Sequence, residues 1–309
     1  MNFKSIAEGF FLFVVFIFLL GFLVYGSQML LEQNKVPAIL SVSGAVLNKN
    51  IPQKKLQAEE LNIDAQSAIS VWTDFSGSKR ILFDRDNQKI LSIASISKLM
   101  SALIVIENFD LSQQIIISDD AAQQGSPDKL IKAGEMFYAK DLLHAMIIGS
   151  DNTAASALAE SAGTEKFVEL MNSKAKEIGL SDSSFLNPTG LGLNNFSSAG
   201  DLAKLAEYLL KKQSSIFRIS TMQEFDLYTV DRKILHKIIN TDELLKTDSN
   251  FEGRIIGGKT GVTRTAGQCL LLVLSAPDST GYIINVILNS KNRFGEMEKM
   301  INWTDTAYY

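Results

Sequence analysis

Ile93-Ala94-Ser95-Ile96-Ser97-Lys98-Leu99-Met100 sets a serine and a lysine three residues apart at the start of an apolar helical repeat. Ile96, Leu99, Met100, Leu103 and Ile106 recur at three- and four-residue steps, the spacing of one buried helix face. Ser-x-x-Lys alone says little. Chance gives about one match in a chain of this size, and the sequence holds four, beginning at Ser76, Ser95, Ser126 and Ser173. Ser76 adjoins Gly77 in a turn, Ser126 precedes Pro127, and Ser173 lies on the Lys-rich stretch Ser173-Lys174-Ala175-Lys176. Only Ser95 opens an apolar helix, where its hydroxyl would lie in the field of free backbone N–H groups. Lys98 would project from the same face and reach it. Apolar surroundings and nearby cations lower a lysine's pKa until it can act as a base. The plainer role for Ser95 is a helix N-cap.

The flanking sequence supplies the rest of a fold. Ala68–Thr73 and Arg80–Phe83 read as strands joined by the turn Asp74–Lys79. Helical periodicity then covers Ala139–Ile148, Thr153–Ala162, Glu165–Ile178 and Ala199–Lys212. Three strand candidates follow, Arg254–Thr260, Gln268–Ser275 and Tyr282–Leu288, and a closing helix, Glu296–Trp303. Strands at both ends with helices between predict an α+β (α/β/α-type) domain. Its mostly antiparallel sheet comes from both ends of the chain, with a helical lobe packed against it.

Two further short signals lie at element ends. Ser150-Asp151-Asn152 follows the apolar run Met146-Ile147-Ile148; its plain reading is an N-cap on the next helix. Lys259-Thr260-Gly261 ends a strand candidate, and glycines at 257, 258, 261 and 267 clear its surroundings, which suits a strand edge approached closely by another backbone. Its plain reading is a hairpin turn.

Composition excludes several functions. The net charge of −4 leaves no basic stripe for nucleic acid. The two histidines, His144 and His236, sit in no recognisable metal-ligand spacing, so no metal or cofactor is expected. The single cysteine, Cys269, lies in an apolar run and reads as a small buried hydrophobe.

Gly9 to Gly26 reads GFFLFVVFIFLLGFLVYG without a charge. Its length as a helix, roughly 27 Å, matches a bilayer core. Residues 9–26 are therefore expected to be a single-pass transmembrane anchor, with 1–8 cytoplasmic because Lys4 and the amino terminus precede the span. A cleaved signal peptide is the rival, but the run is long and Val24-Tyr25-Gly26 is a poor cleavage site. Residues 27–66 read as a tether and 67–309 as the main domain, outside the cytoplasm.

In the order Ser-x-x-Lys, Ser-x-Asn, Lys-Thr-Gly, the three signals form the signature of penicillin-binding proteins and class A β-lactamases. The sequence resembles the serine-type D-alanyl-D-alanine carboxypeptidases, the low-molecular-mass penicillin-binding proteins, from about Ser67 to Trp303. Phe185-Leu186-Asn187-Pro188-Thr189-Gly190-Leu191, Ser197–Ala203 and Arg293-Phe294-Gly295-Glu296 match further family segments. The resemblance implies that Ser95 attacks the D-Ala-D-Ala carbonyl with Lys98 as base. It implies that Ser150 and Lys259 pass a proton to the leaving D-alanine, while Asn152 holds the substrate amide and Lys98. Thr260 and Arg293 would bind the terminal carboxylate, beside Gly261, and the N–H groups of Ser95 and Val262 would hold the oxyanion. The partners so implied are a peptidoglycan stem peptide ending in D-Ala-D-Ala and β-lactams as covalent inhibitors.

Two departures stand out. Val262 occupies a position often aromatic or His in the family. Many members also carry a C-terminal β-rich domain and anchoring helix, whereas this chain stops at Tyr309, so tethering from the N-terminus is expected. A class A β-lactamase would need a glutamate where Ser183 stands, four residues before Asn187. An endopeptidase using the same site, or a slowly deacylating penicillin sensor, remains open.

Overall fold

The computed structural model describes residues 51–125, 130–192, 195–246, 251 and 253–309. The expected cytoplasmic segment 1–8, the span 9–26 and the tether up to residue 50 lie outside the described residues. No helix among those described is long and apolar enough to cross a membrane.

The chain begins with a hairpin of β1 (Ala65–Asp74) and β2 (Lys79–Arg85), followed by β3 (Leu91–Ser92), a 3-10 turn at Ala94–Ser97 and α1 (Lys98–Asn108). The middle holds β4 (Gln114–Ile116), α2 (Asp119–Gln123), β5 (Met136–Tyr138), α3 (Ala139–Ile148), α4 (Asn152–Ser161) and α5 (Thr164–Glu177). Then come β6 (Phe196–Ser197), α6 (Ala199–Lys212), α7 (Ser215–Ser220), β7 (Glu224–Tyr228) and β8 (Leu235–Ile239). The chain ends in β9 (Ile255–Thr263), β10 (Gly267–Ser275), β11 (Gly281–Ser290) and α8 (Arg293–Tyr308).

The main sheet has five strands in the order β2-β1-β11-β10-β9, every pair antiparallel, so strands from both ends of the chain build one sheet as expected, meeting where β1 pairs with β11. Both faces are covered, which explains why β10 is a continuous apolar run rather than an alternating one. Its side chains still divide. Cys269, Leu271 and Val273 join the core of the helical lobe, with α1, α3 and α4. Leu270, Leu272 and Leu274 pack with Met297, Met300 and Ile301 of α8 on the opposite face.

Three expectations need correction. Ser95 does not open an α-helix; it sits in the 3-10 turn, and α1 begins at Lys98. Ala94, at the head of that turn, takes a left-handed φ of +47°. The boundary placed at residue 67 is too late. Ile63 is 1% exposed, Trp303 Nε1 donates to the Glu59 carbonyl at 2.7 Å, and Lys55 N–H donates to the Ala307 carbonyl at 2.8 Å. Residues 51–64 thus lie on the domain and are no tether. The hairpin β7–β8 was not foreseen, and the closing helix is longer than Glu296–Trp303 at both ends.

Candidate active site

The Ser95 turn is gripped by two backbones. A Cβ added at Gly190, whose φ is +79°, would fall 2.0 Å from the Ala94 carbonyl oxygen. One at Gly261 of β9 would lie 3.1 Å from the Ser95 nitrogen. At Gly190 only glycine allows the approach, while at Gly261 a side chain would fit only if its neighbours gave by a few tenths of an ångström; together they fix Ser95 where helical lobe and sheet meet.

Lys98 is fully buried. Its Nζ donates to Ser95 Oγ at 2.9 Å, Asn152 Oδ1 at 2.7 Å and the Thr189 carbonyl at 2.6 Å. Burial pushes its pKa down to about 7, against the opposing pull of Asp151. The hydrogen-bond count then has a chemical consequence. An amide oxygen and a carbonyl oxygen can only accept, so a neutral amine must spend both its protons on Asn152 and Thr189. Its lone pair is left facing the Ser95 hydroxyl, the geometry for taking that proton.

The Thr189 carbonyl is held by a network that the sequence reading did not draw. Asn187 Oδ1 accepts from Thr189 N–H, Thr189 Oγ1 and Gly190 N–H at 3.0, 2.9 and 2.7 Å. Asn195 and Ser101 fasten the same loop through the Asn187 and Pro188 carbonyls at 2.8 and 2.7 Å. The Asn-Pro-Thr-Gly turn chemistry was visible; that its carbonyl receives a lysine 91 residues away in sequence was not.

Ser150 adopts φ +56°, a left-handed conformation costly for a serine, between the end of α3 and the start of α4. The N-cap role falls to Asp151, which accepts from Ala154 N–H at 2.7 Å. Asn152, the first residue of α4, is thereby aimed at Lys98. No hydrogen bond joins Ser150 to Lys259 among the described residues; Lys259 Nζ donates instead to the Thr260 carbonyl at 3.1 Å. Lys259 is buried, and desolvation first, then Lys98 and Arg293, lower its pKa, opposed by Asp242.

Pairing on β10 decides where the third signal points, because residues directly opposite share a face. Lys259 pairs with Leu271 and so faces the helical lobe and Lys98. Thr260 pairs with Leu270 and faces α8. There Arg293 Nη1 donates to the Gly261 carbonyl at 2.9 Å, and its Nε is buried without a hydrogen-bond partner among the described residues. β9 is an edge strand. Gly258 N–H points off that edge to Ser220 Oγ at 3.0 Å, and the alternation of two places the N–H groups of Thr260 and Val262 on the same free side. Val262 itself is exposed. Cys269 is fully buried as expected, and burial pushes its thiol up to about 11.

A serine hydroxyl on a buried amine of lowered basicity, beside a strand edge and an arginine, is the chemistry of a serine acyl-transfer site. Comparison with known proteins narrows this class. The D-alanyl-D-alanine carboxypeptidase family model matches residues 53–292, and the chain belongs to that family. It is similar to D-alanyl-D-alanine carboxypeptidase DacF of Bacillus subtilis, 32% identical over 82% of this chain and 65% of that one. It therefore spans somewhat less than two thirds of that relative's length. It is also similar to a D-alanyl-D-alanine endopeptidase of Pseudomonas aeruginosa, 28% identical over 87% of this chain and 86% of that one. Among solved structures, penicillin-binding protein D2 of Listeria monocytogenes in its cefotaxime-bound form superposes with a TM-score of 0.66. Identity there is 24%, with 80% of this chain and 99% of that one covered, and it supports the fold.

Proposed function

We propose that this chain is a serine D-Ala-D-Ala carboxypeptidase that trims peptidoglycan stem peptides through an acyl-enzyme on Ser95 and is inhibited by β-lactams. The observation that carries the reading is Lys98, buried, lowered to about 7 and directed at Ser95 Oγ by two obligate acceptors. Ser95 attacks the carbonyl of the penultimate D-alanine while Lys98 takes its proton. The oxyanion forms between the N–H groups of Ser95 and Val262. Collapse expels D-alanine, whose nitrogen is protonated by way of Ser150 and Lys259, and water then hydrolyses the ester. Thr260 and Arg293 hold the terminal carboxylate of the leaving residue, the guanidinium through its fork of donors.

The substrate is a wall polymer, so the domain works on the outer side of the cytoplasmic membrane, anchored through Gly9–Gly26. Membrane fractionation with protease protection tests this; a domain shielded with the cytoplasm would refute it. Labelling with a fluorescent penicillin and an assay for released D-alanine test the chemistry. Wild type is expected to label and to release D-alanine from a pentapeptide, and Ser95→Ala to do neither. Equal labelling of both would remove Ser95 as nucleophile, and labelling without release would favour a slowly deacylating penicillin sensor. An endopeptidase reading is favoured by the fuller coverage of the endopeptidase relative, 86% against 65%. Faster cleavage of a cross-linked muropeptide dimer than of the monomeric pentapeptide would select it.

A further inference from the structure

Thr241 lies outside the three short signals, yet it is bonded to the third and anchored beside the second. Its backbone N–H donates to the Ile148 carbonyl at 3.2 Å, two residues before Ser150. Its Oγ1 lies 2.6 Å from Thr260 Oγ1 on β9. The neighbours leave it little freedom. Asn240 Nδ2 donates to the Ser220 and Met222 carbonyls, each at 2.8 Å. Asn240 Oδ1 accepts from Asp242 N–H at 2.8 Å, and Asp242 Oδ1 from Leu244 N–H at 3.1 Å. Asn240 and Asp242 are both buried, 6% and 4% exposed. Thr241 is thus presented from a fixed turn between two clamped side chains.

Two hydroxyls in contact share one proton between them, so one donates and the other accepts. Neither makes another hydrogen bond among the described residues. A carboxylate can only accept. When it binds to Thr260 Oγ1, that hydroxyl must donate outward, and its oxygen then needs a donor behind it. Thr241 is the group in place to be that donor. We propose that Thr241 is a positioning residue for recognition of the substrate's terminal carboxylate, its hydroxyl orienting Thr260 in a Thr241-to-Thr260-to-carboxylate chain of hydrogen bonds. Such chains strengthen each member by polarisation. This rests on the reading of Thr260 as a carboxylate ligand.

The test uses the full chain with two thiolesters: an N-acyl-D-alanyl thioglycolate, whose leaving group ends in a carboxylate, and its methyl ester, whose leaving group is neutral. The quantity read is the ratio of their kcat/KM values, which a partly folded preparation does not alter. Thr241→Val, which keeps shape and removes the hydroxyl, is expected to lower that ratio about tenfold, the upper end of the scale for one hydrogen bond between neutral groups. Thr241→Ser should restore it. A Thr241→Val variant that slows both substrates by one factor, or leaves the ratio unchanged, overturns the proposal. Thr260→Val separates the two levels: a drop in its ratio with none in Thr241→Val defeats this inference alone, whereas an unchanged ratio in Thr260→Val defeats the carboxylate reading beneath it.

Discussion

Lys98 can act as a base only in its neutral form, and the fold rather than the local sequence makes that form accessible. Burial lowers its pKa to about 7. Acylation needs the deprotonated amine, so kcat/KM is expected to be low on the acid side, to rise through about pH 7 and to level off roughly one unit above it. A profile whose acid limb sits near the ordinary lysine value would remove Lys98 from this role. Lys259 titrates in the same field, and Asp242, itself raised by burial, holds the Lys259 pKa up. Asp242→Asn withdraws that support, so Lys259 sheds its proton at lower pH. Proton delivery to the leaving group by protonated Lys259 ends that plateau in an alkaline fall, which moves to lower pH in this variant; an unmoved fall in paired pH–rate profiles refutes the coupling. Ser95 and Lys98 were legible because a three-residue spacing brings them together, and Asn152, 54 residues further on, because its own short signal opens a helix and the resemblance assigned it to the same site. The Thr189 carbonyl, Thr241 and Asp242 were not, because their roles come from contacts made across long stretches of chain, one by a backbone atom common to every residue.

At the scale of elements, the sequence reading placed a helix where the structure has a 3-10 turn, and the difference matters to the chemistry. Ala94 at φ +47° and Ser150 at φ +56° are non-glycine residues in left-handed conformations; the first adjoins a site residue and the second is one. Periodicity reports which face is buried and carries no trace of a single reversed φ, so neither could be foreseen. The grip of Gly190 on the Ala94 carbonyl predicts a sharp sensitivity. Gly190→Ala adds strain at φ +79° and a methyl group that cannot fit without moving the nucleophile turn. Displacing reacting groups by about 1 Å costs on the order of 10²-fold in rate, and penicillin acylation measured by stopped flow should fall by that much. Acylation within twofold of wild type would show that the turn yields without moving Ser95. The hairpin of β7 and β8 is silent in the sequence for a different reason. Leu235 and Ile239 are apolar but exposed, 49% and 46%, so β8 lacks the alternation that announces a half-buried strand.

For the whole molecule, the two-ended sheet was legible because strand runs cluster at both ends of the chain with helices between them. The start of the domain was not, because residues 51–64 have neither periodicity nor a charge pattern and are held by a handful of specific contacts. Those contacts seal one edge of the layer under α8. Ile63 and Ala65 fill a cluster with Leu270, Leu272, Ile287, Met297 and Met300. Trp303 is fastened to the Glu59 carbonyl and lies under Lys54 Nζ, 5.3 Å from the ring centre. A chain beginning at Ile51 retains all of this, whereas one beginning at Ser67 uncovers the apolar side chains and shortens β1. Losing a buried isoleucine with its neighbours costs about 4 kcal/mol. In a domain of this size that corresponds to a fall in Tm of about 10 °C. Thermal unfolding of the two chains, followed by circular dichroism, should show that gap, and equal melting temperatures would return residues 51–64 to the role of a tether. Because α8 also carries Arg293 at its first turn, a loosened α8 weakens the hold on the Gly261 carbonyl. The shorter chain is therefore expected to lose acylation of carboxylate-bearing substrates at temperatures below its own melting point.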